Sequence, residues 1–258
     1  MKTLLIDLGN TAVKWALLGD ELSPHTVVHR GQMGFKEELY AKWLALKPDR
    51  VLGCTVAAPA LAFSMTKFFN EHGIRWNWVR SQTIFESQEI TLANGYDKPE
   101  KLGADRWCAA LGAIDAVPNT SLIVVQMGTA TTVDAILNEG SGRYTFLGGR
   151  IAPGPTLIKQ CLEEGIPLLR GQIGEWQSFP TNTCDAITTG ILDMQAGLVR
   201  AAREELEQHS SSVRVILAGG AAGFVEKRLA ELVPSVTRRH NLVLLGLAAQ
   251  ARRQPENF

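Results

Sequence analysis

The sequence predicts an α/β protein built from two similar halves. Short apolar runs alternate with segments of helical spacing along most of the 258 residues. A pattern near the N-terminus also returns 119 positions later: Asp7, Leu8 and Gly9 fall on Gln126, Met127 and Gly128. The composition, 45% hydrophobic and 20% charged, is that of a chain able to bury a real core, which excludes a disordered or fibrous protein.

The elements follow in order. Leu4–Ile6 and Val13–Leu18 are apolar runs around the polar turn Asp7-Leu8-Gly9-Asn10-Thr11, hence a hairpin. A third strand is expected around Thr26-Val27-Val28. Residues 35–46 place Leu39, Trp43 and Leu46 on one helical face. Val51–Ala57 reads as a strand, Leu61–His72 as a helix and Trp76–Val79 as a short strand. Residues 80–103 carry turn signals and read as loop, and Leu102-Gly103-Ala104-Asp105-Arg106 opens a helix to about Ala116. The break Val117-Pro118-Asn119-Thr120 sets the domain boundary, giving domains 1–117 and 118–258.

The second half repeats the scheme. Leu122–Val125 and Val133–Leu137 are strands around the turn Gly128-Thr129-Ala130-Thr131-Thr132. Gly148–Gly154 and Ala218–Ala221 read as glycine loops after strands, and Val213–Leu217 as a strand. Helices are expected over 156–164, 186–208 and 223–232, with a final apolar helix from about Asn241.

Charge and cysteine usage narrow the function. Lys plus Arg equals 26 and Asp plus Glu equals 26, so no general basic surface for nucleic acid is expected. No apolar run reaches the roughly 20 residues of a membrane helix. Asp7 interrupts the opening Met-Lys-Thr-Leu-Leu-Ile too early for a signal peptide, so a cytoplasmic protein is expected. Cys54, Cys108, Cys161 and Cys184 are widely spaced and read as free thiols. His25 and His29 are four apart, but the β-branched residues between them favour a strand, which would hold the rings apart and not around one metal.

Chemistry is concentrated in two turns and one helix start. Gly9, Asn10 and Thr11, and Gly128, Thr129, Ala130 and Thr131, are small and hydroxyl-rich, suited to backbone approach and donation to phosphate oxygens, although ordinary hairpins use the same residues. Together they resemble a pair of jaws on one triphosphate. Asp7, at a strand end, suits a Mg²⁺ ion beside phosphate or the capping of turn N–H groups, and Lys14 suits charge neutralisation. Asp105 and Arg106 suit proton acceptance and a carboxylate clamp, or, more plainly, an N-cap followed by an exposed arginine.

As an ordered set, D-x-G-N-T-x-x-K from Asp7, P-x-x-L-G-A-D-R from Pro99, G-T-A-T-T-V-D from Gly128, G-G-x-I-x-P-G from Gly148 and the late Gly219-Gly220 pair resemble the type III pantothenate kinases, a family that includes Bvg accessory factors. The resemblance implies the fold of the actin, sugar kinase and Hsp70 superfamily, with two ribonuclease-H-like domains facing across a cleft. It implies a cytoplasmic homodimer that transfers the ATP γ-phosphoryl group to the 4'-hydroxyl of pantothenate, opening coenzyme A synthesis. On it, Asp7, Gly9, Asn10, Thr11 and Lys14 form the first phosphate loop, with Mg²⁺ at Asp7. Gly128, Thr129, Ala130 and Thr131 form the second, and Gly219 and Gly220 an adenosine loop. Asp105 is the general base. Tyr96, Gly103 and Arg106 contact pantothenate, and Thr183 reaches the pantothenate of the partner subunit.

One position departs from the family pattern. Many members carry Asp where this chain has Gln126, and the family typically needs K⁺ or NH₄⁺. A neutral amide predicts a weakened or absent potassium requirement, with Asp134 retained nearby in sequence. Two other readings share the motifs: a non-catalytic regulator that keeps the fold, and a kinase of another small alcohol.

Overall fold

The computed structural model describes residues 1–32, 34–171 and 173–254. The chain forms two compact units: Met1–Asn119 with Gly140–Thr145 and Asn241–Phe258, and Thr120–Glu139 with Phe146–His240.

In the first unit, β1 (Thr3–Leu8) turns back into β2 (Ala12–Leu17), followed by β3 (His25–Val28), α1 (Phe35–Leu46), β4 (Arg50–Thr55), α2 (Pro59–Glu71) and β5 (Arg75–Trp78). The sheet order is β3-β2-β1-β4-β5, with β1–β2 antiparallel and β1–β4–β5 parallel. Side chains alternate across β1. Leu4, Ile6 and Leu8 pack with Leu39 and Trp43 of α1 and Met65, Phe68 and Phe69 of α2. Leu5 and Asp7 therefore point to the other face. Residues 80–103 are not all loop: β6 (Ile84–Glu86) and β7 (Thr91–Asn94) form a hairpin. These strands are only three and four residues long, too short for alternation to be legible.

The helix α3 (Ala104–Ala116) follows, and nearly its whole surface from Arg106 to Ile114 is buried. The last helix, α7 (Leu242–Arg253), packs against it in the first unit, so closely that a Cβ at Gly246 would strike the Cys108 carbonyl. The boundary expected at residue 118 assigns this segment to the second half, whereas it groups with the first unit. Its all-round apolar surface finds its partner in α3.

The second unit contains β8 (Ser121–Met127), β9 (Ala130–Gly140), β10 (Arg143–Pro153), α4 (Pro155–Gly165), α5 (Thr183–Glu207), β11 (Val213–Ala218), α6 (Ala222–Leu232) and β12 (Val236–Arg238). The hairpin tip Gly140–Thr145 groups with the first unit. The strand order β10-β9-β8-β11-β12 repeats that of the first sheet element for element. The pairing positions correspond with one residue fewer in the second turn: Asp7 is flanked by Lys14 and Cys54, Gln126 by Thr132 and Ala218. Ile123, Val125 and Met127 of β8 pack with Leu192, Ala196 and Val199 of α5 and Val225 and Leu229 of α6.

Two expectations change here. Gly148–Pro153 is strand, not loop, with Gly148 at φ +142°. Ala130, Thr131 and Thr132 open β9 and leave only Gly128 and Thr129 as the turn.

Candidate functional site

The first turn is built by β1 and β2. Gly9 N–H donates to the Ala12 carbonyl at 3.1 Å and closes the hairpin. The Thr11 carbonyl accepts from the N–H groups of His29 (2.9 Å) and Arg30 (3.2 Å). The His29 ring nitrogen Nε2 lies 2.9 Å from the Gly9 carbonyl. Asn10 is exposed at the tip, with Gly9, Thr11 and Lys14 half-buried. His25 instead stacks on Trp15, ring centroids 5.2 Å apart, while His29 stacks on Phe35. The two imidazoles thus serve different neighbours, and no group of three His, Cys, Asp or Glu suited to a metal occurs among the described residues.

Asp7 is the residue before the last of β1, on the face turned away from α1 and α2. Burial pushes its carboxyl up to about 6, against the partial relief of Lys14, with the Asp105 charge adding to the rise. Asp105, in the first turn of α3, is also raised by burial, and its Oδ1 accepts the Arg106 N–H at 2.8 Å. Burial thus raises both carboxyls within the first unit, and the Asp105 charge adds to the rise at Asp7. Beside them Cys54, paired in register with Asp7, is held protonated by its contact with the Cys108 thiol and by burial. All four cysteines are free.

Asp105 is not the N-cap. Gly103 takes that place, without a side-chain bond, and the Asp105 carboxylate instead accepts a first-turn N–H from within the helix. Nor is Arg106 exposed: it is 4% accessible, and its Nη1 donates to the Tyr96 hydroxyl at 2.6 Å. The Tyr96 loop is itself fixed. Asn94 Oδ1 accepts the Tyr96 N–H, while Asn94 Nδ2 donates to the carbonyls of Gln82 and Pro99. Ser81 Oγ lies 2.7 Å from the Pro99 carbonyl and 2.8 Å from that of Leu102. Tyr96, Gly103, Asp105 and Arg106 therefore form one constellation around the start of α3.

In the second unit, three glycine turns meet at one end of the sheet. Gly154 N–H donates to the Thr129 carbonyl at 2.9 Å, and a Cβ at Gly154 would strike the Gly128 carbonyl. Gly219, at φ +102°, lies so close to the Met127 backbone that no side chain fits. Ala221 N–H donates to the Met127 carbonyl at 3.0 Å. The N-termini of α4 and α6 follow directly from these glycines, so their free N–H groups add to the positive potential there. Gly128, Thr129 and Ala130 are exposed, and so is Gly220.

Thr131 departs from its expected role. It is fully buried, and its hydroxyl donates to Gln195 Oε1 at 2.6 Å. Gln195 Nε2 in turn donates to the Pro153 carbonyl at 3.0 Å. Thr131 thus holds the turn from behind instead of offering its hydroxyl to a ligand. Gln126 is half-buried on β8, Asp134 is buried on β9, and Thr183 is exposed as the first residue of α5. The sequence offered no signal for Gln195, one polar residue within a 25-residue helix. For His29 it offered only a pairing with His25 that the fold does not use.

Comparison with known proteins identifies the chain. The sequence profile of the type III pantothenate kinase family matches residues 3–205. Type III pantothenate kinases of Paracidovorax citrulli and Methylibium petroleiphilum are 36% and 35% identical, each alignment covering 97% of this chain and 98% or 99% of the relative. Among solved structures, an activator of 2-hydroxyisocaproyl-CoA dehydratase from Clostridium difficile with bound ADPNP aligns at TM-score 0.52 and 15% identity, covering 99% of this chain and 95% of that one. A ROK family glucokinase from Streptomyces griseus, in complex with glucose and AMPPNP, aligns at TM-score 0.51 and 13% identity, covering 98% and 99%. These likenesses give the fold class, that of the actin, sugar kinase and Hsp70 superfamily. With a family profile over most of its length and near full-length relatives at about a third identity, the chain belongs to the type III pantothenate kinase family.

Proposed function

We propose that Asp105 is the general base of this ATP-dependent kinase, which transfers the γ-phosphoryl group of ATP to the 4'-hydroxyl of pantothenate. The observation that carries the assignment is a half-buried carboxylate with a raised pKa beside the buried Arg106 and its half-buried partner Tyr96. The hydroxyl proton passes to the Asp105 carboxylate as the oxygen attacks the γ-phosphorus. The bond to the β–γ bridging oxygen breaks, and ADP leaves. Arg106, oriented by Tyr96, faces the pantothenate carboxylate as a planar clamp, and Gly103 lets substrate approach the backbone. Such transfer depends on positioning and charge neutralisation more than on covalent help.

Gly9, Asn10 and Thr11, with Lys14, take phosphate oxygens in the first unit. Gly128, Thr129 and Ala130 do so in the second, and Gly219 and Gly220 lie against adenosine. Asp7 fits a Mg²⁺ ion: it is a hard oxygen donor, and its burial leaves a charge that a cation would compensate. When bound, the ion would neutralise charge on the phosphates. Gln126 supplies only a neutral oxygen, so we infer a weakened need for a monovalent cation. The two repeated sheets support reading the units as duplicated ribonuclease-H-like domains. A homodimer, in which Thr183 reaches the partner's pantothenate, and a cytoplasmic location complete the proposal. No helix among the described residues is long and apolar enough to cross a membrane.

The test is ADP release from ATP and Mg²⁺ with and without pantothenate, for the wild type and Asp105→Asn. Pantothenate-dependent release in the wild type, lost in a folded variant, is the expected result. Full turnover in the variant would remove Asp105 from the mechanism.

A further inference from the structure

We propose that His29 is a positioning residue for phosphoryl transfer: it fixes the peptide plane between Gly9 and Asn10 and so aims the Asn10 N–H at the phosphates of ATP. The inference rests on the reading of this turn as a phosphate loop. The Gly9 carbonyl can only accept, so the ring nitrogen 2.9 Å away donates to it and His29 carries its proton on Nε2. In a planar trans peptide the C=O and the following N–H point in opposite directions. Tying the Gly9 carbonyl to His29 therefore turns the Asn10 N–H away from His29, at an exposed tip.

The same residue holds the other end of the turn. Its main-chain N–H donates to the Thr11 carbonyl at 2.9 Å, so both carbonyls that flank Asn10 are tied to His29. The ring has its own support, stacked on Phe35 at the start of α1 with centroids 5.4 Å apart and planes 29° apart. A turn that contains glycine has little stiffness of its own. Fixing it before ATP arrives removes an ordering cost from binding.

His29→Phe keeps an aromatic ring for the Phe35 stack and removes the donor. His29→Gln keeps an N–H donor and gives up the stack. Steady-state kinetics of wild type and both variants, with MgATP and pantothenate varied separately, are read beside thermal melts. Loss of one hydrogen bond predicts a rise in KM for ATP of about three- to tenfold in His29→Phe. The KM for pantothenate should stay within about twofold, and the Gln variant should lie closer to wild type than the Phe variant. An unchanged KM for ATP, an equal rise in both KM values, or a Gln variant as impaired as Phe would overturn the proposal. Wild type without pantothenate-dependent ADP release would instead overturn the kinase reading on which it rests, and the two failures are separate readouts.

Discussion

The two units carry the same hairpin at the same place in the same sheet order, yet the turns are held by opposite means. In the first unit the turn is tied by one half-buried imidazole and sits beside Asp7, Asp105 and Lys14. In the second the position of Asp7 is taken by Gln126, and the turn is packed against glycines 154 and 219 and bolted from behind by the buried Thr131–Gln195 pair, which is anchored to the Pro153 carbonyl. One copy carries the charge and the other a close-fitted backbone. Burying carboxylates costs stability and yields reactivity, whereas satisfied neutral polar groups give rigidity without that cost.

Four measurements sharpen or break this contrast. The largest effect is expected at the charged copy: Asp105→Asn should lower kcat about 10²- to 10⁴-fold, with a melting curve like that of wild type. The next is at the packed copy. Gln195→Leu leaves the buried Thr131 hydroxyl without its partner, at a cost of about 1–3 kcal/mol in urea unfolding. An equal loss on replacing His29 by Phe would erase the distinction between the two devices.

Third is the pH dependence of stability in metal-free protein. The folded state holds the Asp7 proton more tightly than the unfolded chain, with a pKa of about 6 against 3.8. That proton stabilises the fold most below about pH 4, and its contribution, at most about 3 kcal/mol, is lost as pH rises through about 6. Asp7→Asn should flatten this slope in unfolding measured between those values, and a variant with the wild-type slope would relocate the titrating group. The smallest effect is at Gln126. Wild type should gain little when sodium is replaced by potassium, and Gln126→Asp should gain severalfold in rate. Strong potassium stimulation of the wild type would show that a neutral amide suffices there.

Much of this was legible in the chain itself. The hairpins, the helix 35–46 found at its predicted bounds, and the recurrence of Gly9 at Gly128 follow from apolar periodicity and turn residues, which act locally. The ordered motifs gave the family, and the structure gathers Tyr96, Gly103, Asp105 and Arg106 at one helix start. The β6–β7 hairpin, the strand through Gly148 and the switch of Thr131 from donor to brace were not legible, because each depends on which distant segment lies alongside.

The sequence by itself determined the α/β pattern, the repeat and the chemical groups present, since near-neighbour sterics and hydrophobic spacing fix these. Only the tertiary structure decided that α7 packs on α3 through Gly246, that burial lifts Asp7 to about 6, and that His29 and Gln195 are the residues holding the two turns. Those outcomes arise from contacts between segments 20 to 142 positions apart, where desolvation and hydrogen-bond partners are assigned by packing and not by local order.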